Sequence, residues 1–152
     1  MNKETARFNM VEQQIRTWEV LDPNVLDACE SVQRECFVPA AFEDLAFSDI
    51  EIELSCSQKM ITPKICARAA QALGVKKTDH ILEIGTGSGY MSALLSSLGS
   101  TVTSFEINET LADTARQNLQ RANIQNCTVN NSDGLQASHK MYDVVMLTGG
   151  IS

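Results

Sequence analysis

Glu83-Ile84-Gly85-Thr86-Gly87-Ser88-Gly89 decides how this chain is read. Residues 80–84 lead into it and read as a short strand. A helical stripe of Leu94, Leu95 and Leu98 leaves it and stops at Gly99. A glycine-rich turn at that junction lets the backbone bend tightly and approach a ligand closely. The helix that follows points free N–H groups at the same place. Strands and helices keep alternating downstream. Residues 101–107 form a second extended run. Asn108 stands where it can cap a helix that carries Leu111, Ala115 and Leu119 on one face. Residues 127–130 read as a third strand. Val144-Val145-Met146-Leu147 reads as a fourth, apolar on both faces, as in the middle of a parallel sheet. The βαβαββ rhythm predicts an α/β fold with strands in the order 3-2-1-4.

Acids at the strand ends narrow the ligand. A nicotinamide dinucleotide site wants G-x-G-x-x-G, and the third glycine of that pattern would fall on Tyr90. Here the third glycine is Gly89, and Glu83 stands two residues before Gly85. This E-x-G-x-G-x-G pattern resembles the first motif of class I methyltransferases, which have a Rossmann-like fold. It implies S-adenosylmethionine as cofactor, with Glu83 near the cationic methionine end and Gly85, Thr86, Gly87, Ser88 and Gly89 around it. Glu106, with Ile107 beside it, ends the second strand 23 residues beyond Glu83. That is close to the roughly 20 residues expected of an acid that grips ribose hydroxyls. Asp133-Gly134 follows the third strand, where methyltransferases of this fold commonly place an acid near the adenine amino group. Three acids at three successive strand ends are a more specific pattern than the glycines alone.

Upstream of Thr78 the pattern changes, dividing the chain into an N-terminal helical and substrate-loop region, 1–77, and a cofactor-binding core, 78–152, holding the first half of the sheet. Phe8, Val11 and Ile15 recur on one face of a helix. Asp22-Pro23 and Thr62-Pro63 are cap-plus-proline starts, and Gly74 is a helix stop. Pro39 opens a short helical segment. Ile50, Ile52 and Leu54 alternate with Glu51 and Glu53 as in a half-exposed strand.

Composition limits the remaining classes. Hydrophobic residues are 43% and charged residues 20% of 152, which fits one globular domain rather than a disordered chain. No apolar run approaches the ~20 residues of a membrane span, so neither a membrane nor export is expected and a cytoplasmic location is the default. The net charge of −7 argues against nucleic acid as partner. Five cysteines, none in CxxC spacing, read as buried thiols. His80 and His139 lie near no cysteine pair, so no metal site is expected.

The chain also resembles the protein-L-isoaspartate O-methyltransferases, and the resemblance covers essentially all of it. Met10-Val11-Glu12-Gln13-Gln14-Ile15-Arg16, Val25-Leu26-Asp27-Ala28 and Arg34-Glu35-Cys36-Phe37-Val38-Pro39 are similar to that family's N-terminal helices. Ala46-Phe47-Ser48-Asp49 is similar to its A-Y-x-D segment. The stretch 82–90, ending in Tyr90, is similar to its cofactor signature, and Ser132-Asp133-Gly134 to its G-D-G. The resemblance implies methyl transfer from S-adenosylmethionine to a peptide or protein carboxylate. In the family's substrate loop, G-Q-T-I-S-A-P, this chain has Ser57-Gln58-Lys59-Met60-Ile61-Thr62-Pro63. Ile61 stands where the family has its active-site serine, Lys59 replaces the threonine, and Thr62 offers a hydroxyl one position later. Loss of the serine predicts weak transfer to isoaspartyl acceptors. It keeps two alternatives open: another acceptor, or cofactor binding without catalysis. Lys59 is the local feature that offsets an acidic chain's repulsion of an anionic substrate. The family continues beyond position 152, so the sheet reads as truncated, with 144–147 as an apolar edge expected to self-associate.

Overall fold

The computed structural model describes residues 2–136 and 141–148. His139 and residues 149–152, on which the expectation of a truncated sheet rests, lie outside the described residues. Four parallel strands form the sheet: β3 (His80–Ile84), β4 (Thr101–Phe105), β5 (Cys127–Asn130) and β6 (Val144–Leu147). Their order is β5-β4-β3-β6, with every pairing parallel, the order expected from the sequence. Helices α4 (Tyr90–Leu98) and α5 (Glu109–Arg121) make the crossovers. Asn108 caps α5 through its side chain, which accepts from the Leu111 N–H at 3.1 Å. Such a cap stabilises a helix by about 1 kcal/mol. β4 stops at Phe105, two residues before the sequence expectation. Glu106 and Ile107 already belong to the turn, and Ile107 is 75% exposed.

α4 is enclosed on almost every side: of its nine residues only Ser97 is exposed. Ser92 and Ser96 are buried with the leucines. Helix α2 (Pro23–Ser31) and helix α3 (Pro63–Leu73) pack against α4 from the N-terminal part. The buried cluster therefore runs without a break from Met10 and Ile15 through Leu94 and Leu95 to Val129. Asp22 caps α2 by accepting from Asn24 N–H, and Gly74, at φ +60°, ends α3.

Two N-terminal expectations need correction. Helix α1 (Lys3–Met10) passes into a π-helical turn, Val11–Ile15, whose wider winding changes the phase of the stripe. Met10, Val11 and Ile15 are buried, whereas Phe8 is 55% exposed. The alternating stretch at 50–54 gives only a two-residue strand, β1 (Ile52–Glu53), paired antiparallel with β2 (Lys59–Met60). The pairing leaves Ser55, Cys56 and Ser57 as a tight turn between Leu54 and Gln58, whose Leu54 N–H donates to Gln58 O at 2.8 Å, and Cys56 and Ser57 reach φ near +60° to make it. This hairpin brings the Gln58–Ile61 stretch back toward the glycine loop. No helix of the described residues is long and apolar enough to cross a membrane. β6 has one neighbour among the described strands, and Val145 and Leu147 are about half exposed along it.

Candidate functional site

A cavity of about 390 Å³ opens over the C-terminal ends of β3 and β4, the place where open parallel sheets bind ligands. The volume lies within the roughly 300–1,000 Å³ of ordinary ligand pockets. One wall is the glycine loop: Gly85, Thr86, Gly87 and Ser88 line it. Gly85, Gly87 and Gly89 all have positive φ, the region that favours glycine. Gly89 itself does not line the cavity. A Cβ there would meet Ala115 and Leu119 of α5 at 3.5 Å, an ordinary contact, so it is the φ of +92° that calls for glycine at the start of α4.

Glu106 is 7% exposed and lines the same wall. Its Oε1 accepts from Gly87 N–H and its Oε2 from Asn108 N–H, both at 3.0 Å. The carboxylate thus ties the glycine loop to the start of α5. Each oxygen keeps acceptor capacity for a further donor. Asp133 also lines the cavity, and its Oδ1 accepts from Leu135 N–H at 2.9 Å. Gly134 beside it is buried against β3 and β4. A Cβ at Gly134 would stand 2.8 Å from Ile84 Cγ1 and 3.0 Å from Phe105 Cβ. Gly134→Ala should therefore push Asp133 outward and destabilise the fold by roughly 1–3 kcal/mol. Thermal denaturation with and without S-adenosylhomocysteine checks this, and an unchanged melting temperature would refute the close packing.

Glu83 is placed differently from the sequence expectation. It does not line the cavity: it is fully buried beneath the loop, on the face of β3 that carries Ile81. Ser104 donates to its Oε1 at 2.7 Å, and Ser92 of α4 donates to the same oxygen. Thr86 in turn lies 2.5 Å from Ser104, so a hydroxyl chain joins the cavity wall to the buried acid. Glu83 Oε2 has no partner. Burial pushes this carboxyl up to about 7, and Glu106 pushes in the same direction, while the two serine bonds oppose them.

The opposite wall comes from the substrate hairpin. Gln58, Lys59, Met60 and Ile61 line it, together with Leu54. Ile61 thus reaches the cavity with an apolar side chain. Thr62 does not. Its hydroxyl is buried without a partner, and although Thr62 is the N-cap residue of α3, its side chain makes no capping bond. Ile107, by contrast, sits at the cavity rim. Tyr90, Met91 and Thr148 line the cavity and were not singled out from sequence as ligand contacts. Only Tyr90 carried a signal, through its place in the 82–90 signature. Its ring packs edge-on against Phe37 at 5.8 Å. Thr148 N–H donates to Ile84 O at 2.9 Å, and its hydroxyl donates to Gly85 O, closing the loop from the β6 side.

Known proteins share this fold. Among solved structures, a protein-L-isoaspartate O-methyltransferase superposes with a TM-score of 0.78 at 24% identity, over 99% of this chain and 49% of its own. A Plasmodium falciparum protein described as a putative protein-L-isoaspartate O-methyltransferase, in complex with S-adenosyl-L-homocysteine, also gives 0.78 at 15% identity. That match covers 97% of this chain and 73% of the other. Both establish the fold. Sequence similarity is closer. Protein-L-isoaspartate O-methyltransferase 2 of Pelobacter propionicus is 38% identical over 98% of this chain and 67% of its own length. The Methanospirillum hungatei protein-L-isoaspartate O-methyltransferase is 40% identical over 95% and 68%. The chain thus spans about two thirds of the length of these curated relatives. Residues 5–151 match the family model described as protein-L-isoaspartate(D-aspartate) O-methyltransferase. With fold, glycine loop and N-terminal helices all in agreement, the chain belongs to the protein-L-isoaspartate O-methyltransferase family.

Proposed function

We propose that this chain is an S-adenosylmethionine-dependent methyltransferase whose acceptor is a carboxylate, in first place that of an isoaspartyl residue. The observation that carries the reading is a single cavity with a cofactor-type wall and a substrate-loop wall facing each other. The residues present fit the cofactor. Glu106 offers a carboxylate with spare acceptor capacity for ribose hydroxyls, Asp133 a second acid for an adenine amino group, and the glycine loop a backbone open to close approach. When bound, the cofactor supplies an electrophilic methyl group on a positively charged sulfur.

The chain's own task is alignment and exclusion of water. A carboxylate acceptor is ionised at pH 7, so no protein base has to remove a proton. With the cofactor held at the glycine-loop wall, the methyl group would pass to that oxygen as a methyl ester and the cofactor would be left as a neutral thioether. Met60, Ile61 and Leu54 make the acceptor wall dry, and Lys59 adds a positive charge at its rim.

Ile61 favours a second reading, transfer to a different acceptor, because it brings no hydroxyl to hold an isoaspartyl group. Radiolabelled methyl transfer to an isoaspartyl peptide, set beside a panel of other carboxylates, decides between them. Ile61→Ser should raise kcat/KM for the isoaspartyl peptide about tenfold, the worth of one recovered hydrogen bond of roughly 1–1.5 kcal/mol. No gain from the serine, together with efficient methylation of another acceptor, would establish the second reading.

A further inference from the structure

Arg34 is fully buried, yet no acid among the described residues pairs with it. Its Nε donates to the Ala46 carbonyl at 2.8 Å and its Nη2 to the Ile61 carbonyl at 3.0 Å. Its guanidinium carbon stands 4.5 Å from the centre of the Tyr90 ring. Nη1 is buried with no partner at all. The nearby groups that might have supplied a negative charge do not. Burial pushes the Cys66 thiol up to about 11 and the Cys29 thiol to about 12, and it raises Tyr90 as well, so all three stay neutral. Glu83 also acts on Cys66 but lies outside ion-pair distance of Arg34. A buried charge without a counter-charge is costly. This one stands directly behind Ile61, Cys66 and Tyr90, three residues of the cavity wall.

We propose that Arg34 is a positioning residue for the methyl acceptor: its uncompensated charge, set behind Ile61 and Tyr90, makes that wall of the cavity selective for an anionic carboxylate. The proposal rests on the carboxylate reading given under the proposed function. It explains how a chain of net charge −7 can draw an anion inward, since a buried charge is screened far less by salt than Lys59 at the rim. Holding the Ile61 carbonyl, the same guanidinium also fixes the backbone of the substrate loop.

The test compares two variants by calorimetry on the chain loaded with S-adenosylhomocysteine. Arg34→Lys keeps the charge and loses the planar fork; Arg34→Gln keeps a neutral donor and loses the charge. The probes are an isoaspartyl peptide and the same peptide with the acceptor carboxylate converted to a carboxamide. The preference of carboxylate over carboxamide is the readout, because disorder of the loop weakens both peptides alike. The original chain should prefer the carboxylate at least tenfold. Arg34→Lys should stay within about threefold of that preference, and Arg34→Gln should lose it. S-adenosylhomocysteine affinity should change less than about threefold in both. Equal preference in the two variants, or none in the original chain while it methylates the peptide, overturns the role of Arg34 alone. Preferential carboxylate binding without any methyl transfer overturns the proposed function and leaves Arg34 supported. No carboxylate binding by the original chain overturns both.

Discussion

Glu83→Gln should make the fold more stable at pH 8, by up to roughly 3 kcal/mol. The size follows from the distance between the ordinary carboxyl value of 4.5 and the value of about 7 that burial imposes. The sign follows from linkage. Where the folded state holds its proton more tightly than the unfolded chain, stability is fully present below about pH 4.5. It is lost as pH rises through about 7, because the unfolded chain gives up the proton first. Above pH 7 the folded protein carries an ionised acid with one oxygen unpartnered, and the curve levels off. Glutamine is nearly the same shape, still accepts from Ser92 and Ser104, and never ionises. The difference between the two proteins in urea unfolding at pH 5, 6, 7 and 8 isolates Glu83 from every other titrating group. It should be small at pH 5 and largest at pH 8. Parallel curves would mean that Glu83 is not a buried, proton-binding acid.

The second large effect is expected at Glu106. Glu106→Ala should lower S-adenosylhomocysteine affinity by roughly 2–4 kcal/mol, about thirtyfold to a thousandfold. Two losses add. The ribose hydroxyls lose a charged acceptor, and the N–H groups of Gly87 and Asn108 lose the carboxylate that holds the loop to α5. Calorimetry reads the affinity, and thermal denaturation without ligand reads the loop contribution separately. A destabilised protein with unchanged affinity would confine Glu106 to the structural role and remove it from the ribose.

Much of this was legible because the signals are local. Asp22, Gly74 and Asn108 end or begin helices by chemistry contained within a few residues, and all three do so in the structure. β3, β5 and β6 fall on the expected residues: β6 is an apolar run, while β3 and β5 are short stretches of strand-forming residues set between turns and helices. What the sequence concealed depends on winding and on depth. Phe8 faces solvent because a π-helical turn, which leaves no compositional mark, resets the face of α1. Glu83 was expected at the ligand because the E-x-G-x-G-x-G pattern sets an acid just ahead of the glycine loop. The two-residue period of β3 puts it with Ile81 instead, under α4, and only a buried pair of serines makes that tolerable. Thr62 occupies the cap position without capping, since position in the chain does not fix where a hydroxyl points. Arg34 was quoted only as part of a motif. Its importance comes from partners 12 and 27 residues away.

Because α4 is enclosed by sheet and helices alike, with Ser97 alone at the surface, it has no free side along which it can peel away. Local opening releases the segments with the fewest buried contacts first. The cofactor wall runs directly into that enclosed helix, whereas the facing wall hangs on a hairpin of two two-residue strands whose turn residues, Cys56 and Ser57, are exposed. Backbone amide exchange is therefore expected to be faster across the hairpin than along the helix, like the moving and fixed jaws of a vice.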